Sequence, residues 1–461
     1  MSGQFRELGE LRRAAREIFD AGLRSADARG AVRRAVKLKG VARLEIFDTS
    51  LDLAARPSPV YAVALGKAAR TMASALDEIL REQLGAGVLS GPQTESLNAV
   101  SRRPHGHELS DRWNAFEGGH PLPNEGSLNA ARAAFALLRR VEDERAAVIF
   151  LVSGGGSAMM EWPREDGTTL TELREANRAL VSCGASISEI NSVRRAFSAV
   201  KGGGLALHAP RADQISLIIS DTCAGDEASV ASGPTFPPPP HSPDAREVVA
   251  RYDLEAVLPA SIIRAINLPT EAQAEYGVEA LRRHYVLLDN NHAVEAAAGA
   301  ARSKGYVVEV AHDLVEQHVA EGCALLLERL YGLRGRAGGR VACLISGGEF
   351  ACPVRGKGTG GRNSETALRC AVELVQHQKM GGAPWHVVAL SAGTDGIDGN
   401  SPAAGALADE TTLSRARALG MSAQELLEAS DAYTFFHALG DDVVTGPTGT
   451  NVRDLRILLA V

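Results

Sequence analysis

The chain has 461 residues, 45% of them apolar and 23% charged, which suits a globular protein of two or three domains. Its formal net charge of −7 excludes a nucleic-acid binder that relies on bulk positive charge. The six cysteines have no CxxC spacing and read as reduced thiols rather than a disulfide framework. The first residues are charged and helical in pattern, without the apolar core of a signal peptide, and no run of about 18 apolar residues offers a membrane span. A cytoplasmic protein is expected.

In chain order, "VYAVAL" (60–65) reads as a buried strand running into Gly66-Lys67, with a helical pattern over 68–84. A helix over 126–144 follows, then the strand "AVIFLV" (147–152), ending in Ser153-Gly154-Gly155-Gly156-Ser157. "ISLII" (215–219) runs into Ser220-Asp221. "GPTFPPPPHSP" (233–243) breaks the pattern, because four consecutive prolines suit neither a helix nor a central strand. A domain boundary is expected there, giving domains 1–242 and 243–461. Beyond it come strands at 285–288, 306–311, 341–345 and 386–390, with a helix over 291–305 between the first two. Strand–helix alternation of this kind predicts an α/β fold with mostly parallel sheets.

The strand ends carry the chemistry. "FLVSGGGSA" (150–158) and "CLISGGEFA" (343–351) both pass from strand to Ser-Gly-Gly; the second contributes Ser346, Gly347, Gly348 and Glu349. Strand 386–390 leads to Thr394-Asp395-Gly396. In open α/β sheets ligands bind at the carboxyl ends of strands, where bare backbone and a following helix suit an anion such as phosphate. A tight turn with no ligand is the plain alternative for any one of these endings. In "VRGKGTGGRNSETALRCAVELV" (354–375), Arg355, Lys357 and Arg362 alternate with Gly356, Gly358, Gly360 and Gly361 before a helix starts near Asn363. Fixed cations beside bare backbone suit a polyphosphate; a charged surface loop is the alternative. Asp221, Asp395, Asp398 and Glu349 are candidates for holding a metal, or equally for capping turns. Lys67 sits at the start of a helix, the unfavourable end for a cation, which points to a functional role. His105 and His107 have loose metal spacing and read better as a solvated loop, and His120 is placed to touch a ligand or to cap a helix. Neither a GxxxxGK[ST] loop nor a GxGxxG dinucleotide fingerprint is present.

These motifs resemble the glycerate 2-kinase family, built from an N-terminal glycerate-kinase domain and a C-terminal MOFRL domain. The matching stretches include "GKAARTM" (66–72), "GGHPLPNEGSL" (118–128), "LVSGGGSAMM" (151–160), "EINSVRRAFSAVKGGGLA" (189–206), "SLIISD" (216–221), "ASGPT" (231–235), "LISGGE" (344–349), "VRGKGTGGRNSE" (354–365), "AGTDGIDGNSPAAGA" (392–406) and "TGPTGTNVRDL" (445–455). The resemblance implies a Rossmann-like first domain and an active site in the cleft between two α/β domains. It implies phosphorylation of D-glycerate at the 2-hydroxyl with ATP and Mg²⁺. It assigns Lys67, Asp221 and Arg362 to catalysis, and Asp221 and Asp395 to the metal. Substrate and phosphate binding falls to Gly66, the turn Ser153–Ser157, Lys201, Ser346–Glu349, Arg355, Lys357, Gly360, Gly361, Asn363, Glu365, Thr394 and Asn451. The chain departs from the family at Ala224–Asp226, Thr359, Ser364 and Pro402, which bears on the choice of hydroxy acid. The expected partner is a small molecule, with neither nucleic acid nor membrane, in a monomer or homodimer. The rival readings are a hydroxypyruvate reductase using NAD(P)H and a metabolite-binding relative without activity.

Overall fold

A computed structural model of the chain describes residues 2–40, 43–55, 58–93, 109–223, 225–269, 280–379 and 386–461; Ala224, His105 and His107 lie outside them. Two compact units form, one running from Ala28 to Leu287 and the other combining the chain up to Asp27 with Leu288–Val461. The division falls at 287/288, and Pro237–Pro240 lies inside the first unit. The reason is apolar packing: after the prolines, Val248, Leu258 and Ile262 bury themselves against Leu173, Val193 and Phe197. The chain then returns to the first unit's sheet as Arg282–Leu288.

The first unit opens with a small antiparallel meander, β1 (Val36–Lys39), β2 (Arg43–Ile46) and β3 (Thr49–Asp52). Its main sheet contains β4 (Val60–Leu65), β5 (Leu84–Gly91), β6 (Trp113–Glu117), β7 (Ala147–Ser153), β8 (Asp213–Ile219) and β9 (Arg282–Leu288), in the order β6-β5-β4-β7-β8-β9. The pairs β4–β5, β4–β7, β5–β6 and β7–β8 are parallel. Every residue of β4 and β7 is buried, as a sheet covered on both faces requires. Helix Glu125–Glu144 starts at a capping box between Asn124 and Ser127 and packs Ala130, Ala134, Leu138 and Val141 onto the sheet.

The second unit's sheet contains β10 (Val307–Val310), β11 (Ala342–Gly348), β12 (Val387–Gly393), β13 (Gly405–Asp409), β14 (Asp442–Val443) and β15 (Asp454–Ala460), in the order β10-β11-β15-β12-β13-β14. Only β10–β11 is parallel; β15 lies antiparallel between β11 and β12, and β13 and β14 continue antiparallel. The expectation of mostly parallel sheets therefore holds for the first sheet and is corrected for the second. Among the described residues no helix is long and apolar enough to cross a membrane.

Candidate active site

In the first unit β4, β7 and β8 are parallel neighbours, so Lys67, the Ser153–Ser157 turn and Asp221 gather at one edge of the sheet. The Lys67 N–H donates to the Gly154 carbonyl at 2.9 Å, and the Ala68 N–H to Ser153 Oγ at 3.0 Å. These bonds knit the two strand ends together. Three glycines are needed here because side chains press on them. A Cβ on Gly154 would lie 3.0 Å or less from Cβ, Cγ and Oδ2 of Asp221. Gly155 has φ +80°, and a Cβ there would meet the His120 ring at 3.2 Å and Lys67 Cγ at 3.3 Å. Lys67, Asp221 and His120 thus converge on one bare turn.

Beyond it, Ser157 Oγ donates to Ser232 Oγ at 3.0 Å, and Ser232 donates to Asn191 Oδ1 at 3.0 Å. Ala231 and Ser232 both hold positive φ, 53° and 61°, which is costly for residues with a Cβ and is kept only under constraint. Lys201 is placed differently from expectation. It is buried and ion-paired with Glu161, which also accepts from Ser198 Oγ at 2.5 Å. Burial pushes the Lys201 ammonium below its usual range, against the pull of the Glu161 charge. Its charge is taken up inside the protein, so a direct phosphate contact is corrected to a supporting role.

In the second unit, Arg362 donates through Nε to Asp454 Oδ2 at 2.6 Å and pairs with Glu349 at 2.6 Å through Nη2. Burial alone would lower its pKa, but the Asp454 and Glu349 charges hold it above the usual value. Asp454 is itself buried; Arg362 and Asn363 offset that burial and keep its carboxyl low. Among the described residues the two Nη1 hydrogens of Arg362 carry no bond. A Cβ on Gly393 would sit 3.1 Å from Asp395 Oδ1 and 3.4 Å from Asp454 Oδ1, so two carboxylates flank this strand end.

Several other expected contacts are made within the protein. Ser346 is buried and accepts from Arg456, whose Nη2 reaches it at 3.0 Å. Arg456 is fully buried, stacks 3.7 Å from the Phe350 ring centroid, also donates to the Gly347 carbonyl, and is brought by burial to a pKa of about 10. Gly347 packs against the Asn290 side chain, whose Oδ1 accepts from the Gly348 N–H at 2.9 Å. Glu365 pairs with Arg369 at 2.7 Å. Thr394 Oγ1 donates to the Arg453 carbonyl at 2.7 Å, and Asn451 Oδ1 accepts from the Arg453 N–H at 3.2 Å. Each is a scaffold contact.

The glycine-rich loop is also corrected. The N–H groups of Gly358, Thr359, Gly360 and Gly361 go to Ala429 O (3.0 Å), Asp431 Oδ1 (2.8 Å), Asn400 Oδ1 (2.8 Å) and Ser364 Oγ (3.2 Å). Helix Arg362–Lys379 is capped by buried Asp398, which accepts from Asn363 N (2.9 Å), Ser364 N (2.8 Å) and Ser364 Oγ (2.6 Å). A backbone phosphate cradle over 356–361 would have to displace all of these. What the loop offers outward is side-chain charge, since Arg355 and Lys357 are exposed. Asp398 is a cap, and burial raises its carboxyl pKa.

Among the described residues no group of three His, Cys, Asp or Glu side chains is arranged to hold a metal. Mg²⁺ takes one or two carboxylates with water and substrate phosphates, so Asp221 or Asp395 remains chemically suited to it. Sequence reasoning missed Asp454 and Arg456. Charged residues at the first and third positions of an otherwise apolar run, "DLRILLA", were the available signal.

A site of this kind, at the carboxyl edge of a parallel α/β sheet and accompanied by a second α/β unit, defines a class that known proteins share. Residues 14–267 match the family described as a domain of unknown function (DUF4147), and residues 342–454 match the MOFRL family. The chain is 34% identical over 404 residues to the D-glycerate 2-kinase of Thermotoga maritima, covering 87% of this chain and 91% of that protein. It is 36% identical over 454 residues to a protein named putative hydroxypyruvate reductase from Agrobacterium vitis, covering 97% and 94%. The crystal structure of glycerate kinase from Thermotoga maritima matches with a TM-score of 0.76 at 31% identity, covering 98% of this chain and 100% of that one. The chain belongs to the glycerate kinase family, in its DUF4147-plus-MOFRL form.

Proposed function

We propose that this chain is a glycerate 2-kinase that transfers the γ-phosphoryl group of ATP to the 2-hydroxyl of D-glycerate, giving 2-phosphoglycerate and ADP. The observation that carries the reading is near-full-length likeness to the Thermotoga maritima D-glycerate 2-kinase. The convergence of Lys67 and Asp221 on a bare glycine turn is what such chemistry needs. Phosphoryl transfer leaves the protein mainly positioning and charge stabilisation to supply. Lys67 offsets negative charge on the phosphoryl group in flight. Asp221 orients the acceptor hydroxyl or would hold the metal. Arg362, held by Asp454 and Glu349, keeps its charge and directs its Nη1 hydrogens to phosphate oxygens. Asp221 or Asp395 would hold Mg²⁺, which would neutralise phosphate charge. Arg355 and Lys357 add positive charge for the nucleotide. The enzyme acts on a small molecule in the cytoplasm as a monomer or homodimer, with no nucleic-acid or membrane partner.

A second reading rests on the relative named putative hydroxypyruvate reductase. It requires NAD(P)H, for which the sequence carries no dinucleotide fingerprint. One experiment separates the two: purified protein with Mg-ATP and D-glycerate, ADP release followed in time, and the product identified by NMR. Phosphorus coupled to C2 supports the kinase reading. No ADP above the glycerate-free control, with NADH consumed on hydroxypyruvate at 340 nm, replaces it with the reductase.

A further inference from the structure

We infer that Arg195 receives the carboxylate of the hydroxy-acid substrate. The inference rests on the kinase reading and adds to it the residue that recognises the acid. A hydroxy acid presents a carboxylate beside the hydroxyl that is phosphorylated, so two anionic groups meet in a small volume. Two adjacent anions are better balanced by two cations than by one. At this edge of the first unit Lys67 is one cation, and Lys201 is taken by Glu161.

Arg195 is placed for the other. Asn191 and Arg195 lie four residues apart on helix Ile187–Phe197 and so share a face. Asn191 is joined through Ser232 to Ser157 of the glycine turn, which fixes that face beside the turn. The Arg195 stem lies over Gly202, where a Cβ would come within 3.0 Å of Arg195 Cδ. Among the described residues its Nη2 donates only to neutral hydroxyls, Ser192 Oγ and Ser242 Oγ, both at 3.1 Å. Among the described residues Arg195 makes no ion pair, whereas Arg251 on the neighbouring helix is paired with Glu189. It is half-buried, with the Asp226 charge in range but unbonded, and burial presses its pKa below the usual value. A held, half-desolvated guanidinium with no carboxylate of its own is preorganised to accept one in a planar, two-bond fork. The hydroxyls of Ser192 and Ser242 orient it without neutralising it.

The test compares Arg195→Met and Arg195→Lys with wild type, folding being checked by circular dichroism. In Arg195→Met the KM for D-glycerate is expected to rise about ten- to hundredfold, the loss of a charge-assisted bond, while the KM for ATP stays within threefold. Arg195→Lys is expected to fall between the two, and it decides the matter if the methionine variant misfolds. A glycerate KM within threefold of wild type, or a parallel rise for ATP, overturns the assignment. If wild type itself turns over no glycerate, the kinase reading fails. Calorimetric titration with D-glycerate then judges Arg195 separately. Binding by wild type that is lost in Arg195→Met upholds it, and equal heats in both, including none, overturn it.

Discussion

Replacing Gly154 by alanine tests whether the glycine turn exists to admit Asp221. Gly154, unlike Gly155, does not have a positive φ, so alanine meets no backbone strain there. The whole penalty is the overlap of the new Cβ with three atoms of the Asp221 side chain, all at 3.0 Å or less. Forcing a methyl into a filled space costs about 1–3 kcal/mol. For a unit of this size that lowers the melting temperature by roughly 2–12 °C, at about 2–4 °C per kcal/mol. With Asp221 orienting the acceptor as proposed, displacing its carboxylate is expected to lower turnover toward the level expected of Asp221→Ala. Removing the carboxylate removes the two closest atoms, Cγ and Oδ2, and leaves only Cβ at 3.0 Å: in an Asp221→Ala background most of the Gly154→Ala penalty in stability is expected to vanish, with little further change in turnover. Thermal unfolding and ADP release on the four proteins of this cycle give the coupling directly. A Gly154→Ala penalty equally large with and without the Asp221 carboxylate would refute the reasoning.

Lys201→Met strands the buried Glu161 carboxylate and is expected to destabilise by about 3–5 kcal/mol in chemical denaturation, with Glu161→Gln added to it recovering part of the loss. A fall in activity with unchanged stability would instead mean that Lys201 meets a ligand. The Ser186 backbone N–H and hydroxyl hold the Glu189 carboxyl at about 2, below its ordinary 4.5. Its stabilisation is complete above pH 4.5 and drains away as the pH falls toward 2, so Glu189→Gln should flatten that part of a melting-temperature-against-pH curve; identical slopes would contradict it.

All seven strands read from apolar runs are present; β4, β7, β11 and β12 are buried throughout, and a strand buried on both faces must be apolar throughout. The strands that escaped notice break that rule for local reasons. β5, "LGAGVLSG", is rich in glycine because Gly87 lies under the Trp113 ring and Gly85 under Pro59. β15 carries Asp454 and Arg456 inside the core, where Arg362 and the β11 carbonyls satisfy them. Its antiparallel insertion follows from pairing with β11 and β12 at once, a long-range choice with no local signal. The proline run misled in a similar way. Its rigidity is local, while the packing that keeps residues 245–267 with the first unit is not.

Two glycine-rich stretches looked alike in sequence and differ in structure for a reason that bears on function. In Ser153–Ser157 the glycines make room for the side chains of Asp221, Lys67 and His120, so a bare turn and a cluster of polar groups form together. In 356–361 they let the loop lie against protein backbone instead. Gly356 and Gly358 rest on Ala429, and a Cβ on Gly358 would also strike Asp431. The loop's amides are consumed by acceptors from Asn400, Ala429 and Asp431, and the helix behind it by Asp398. None of these acceptors is near in sequence, so a count of glycines and cations could not distinguish an open cradle from a filled one. The filled loop has its backbone amides tied to the protein, so Arg355 and Lys357 extend from an anchored backbone. Arg362 follows the same logic one step inward: two acids hold its Nε and Nη2, and the edge left over is the one that can meet a phosphate.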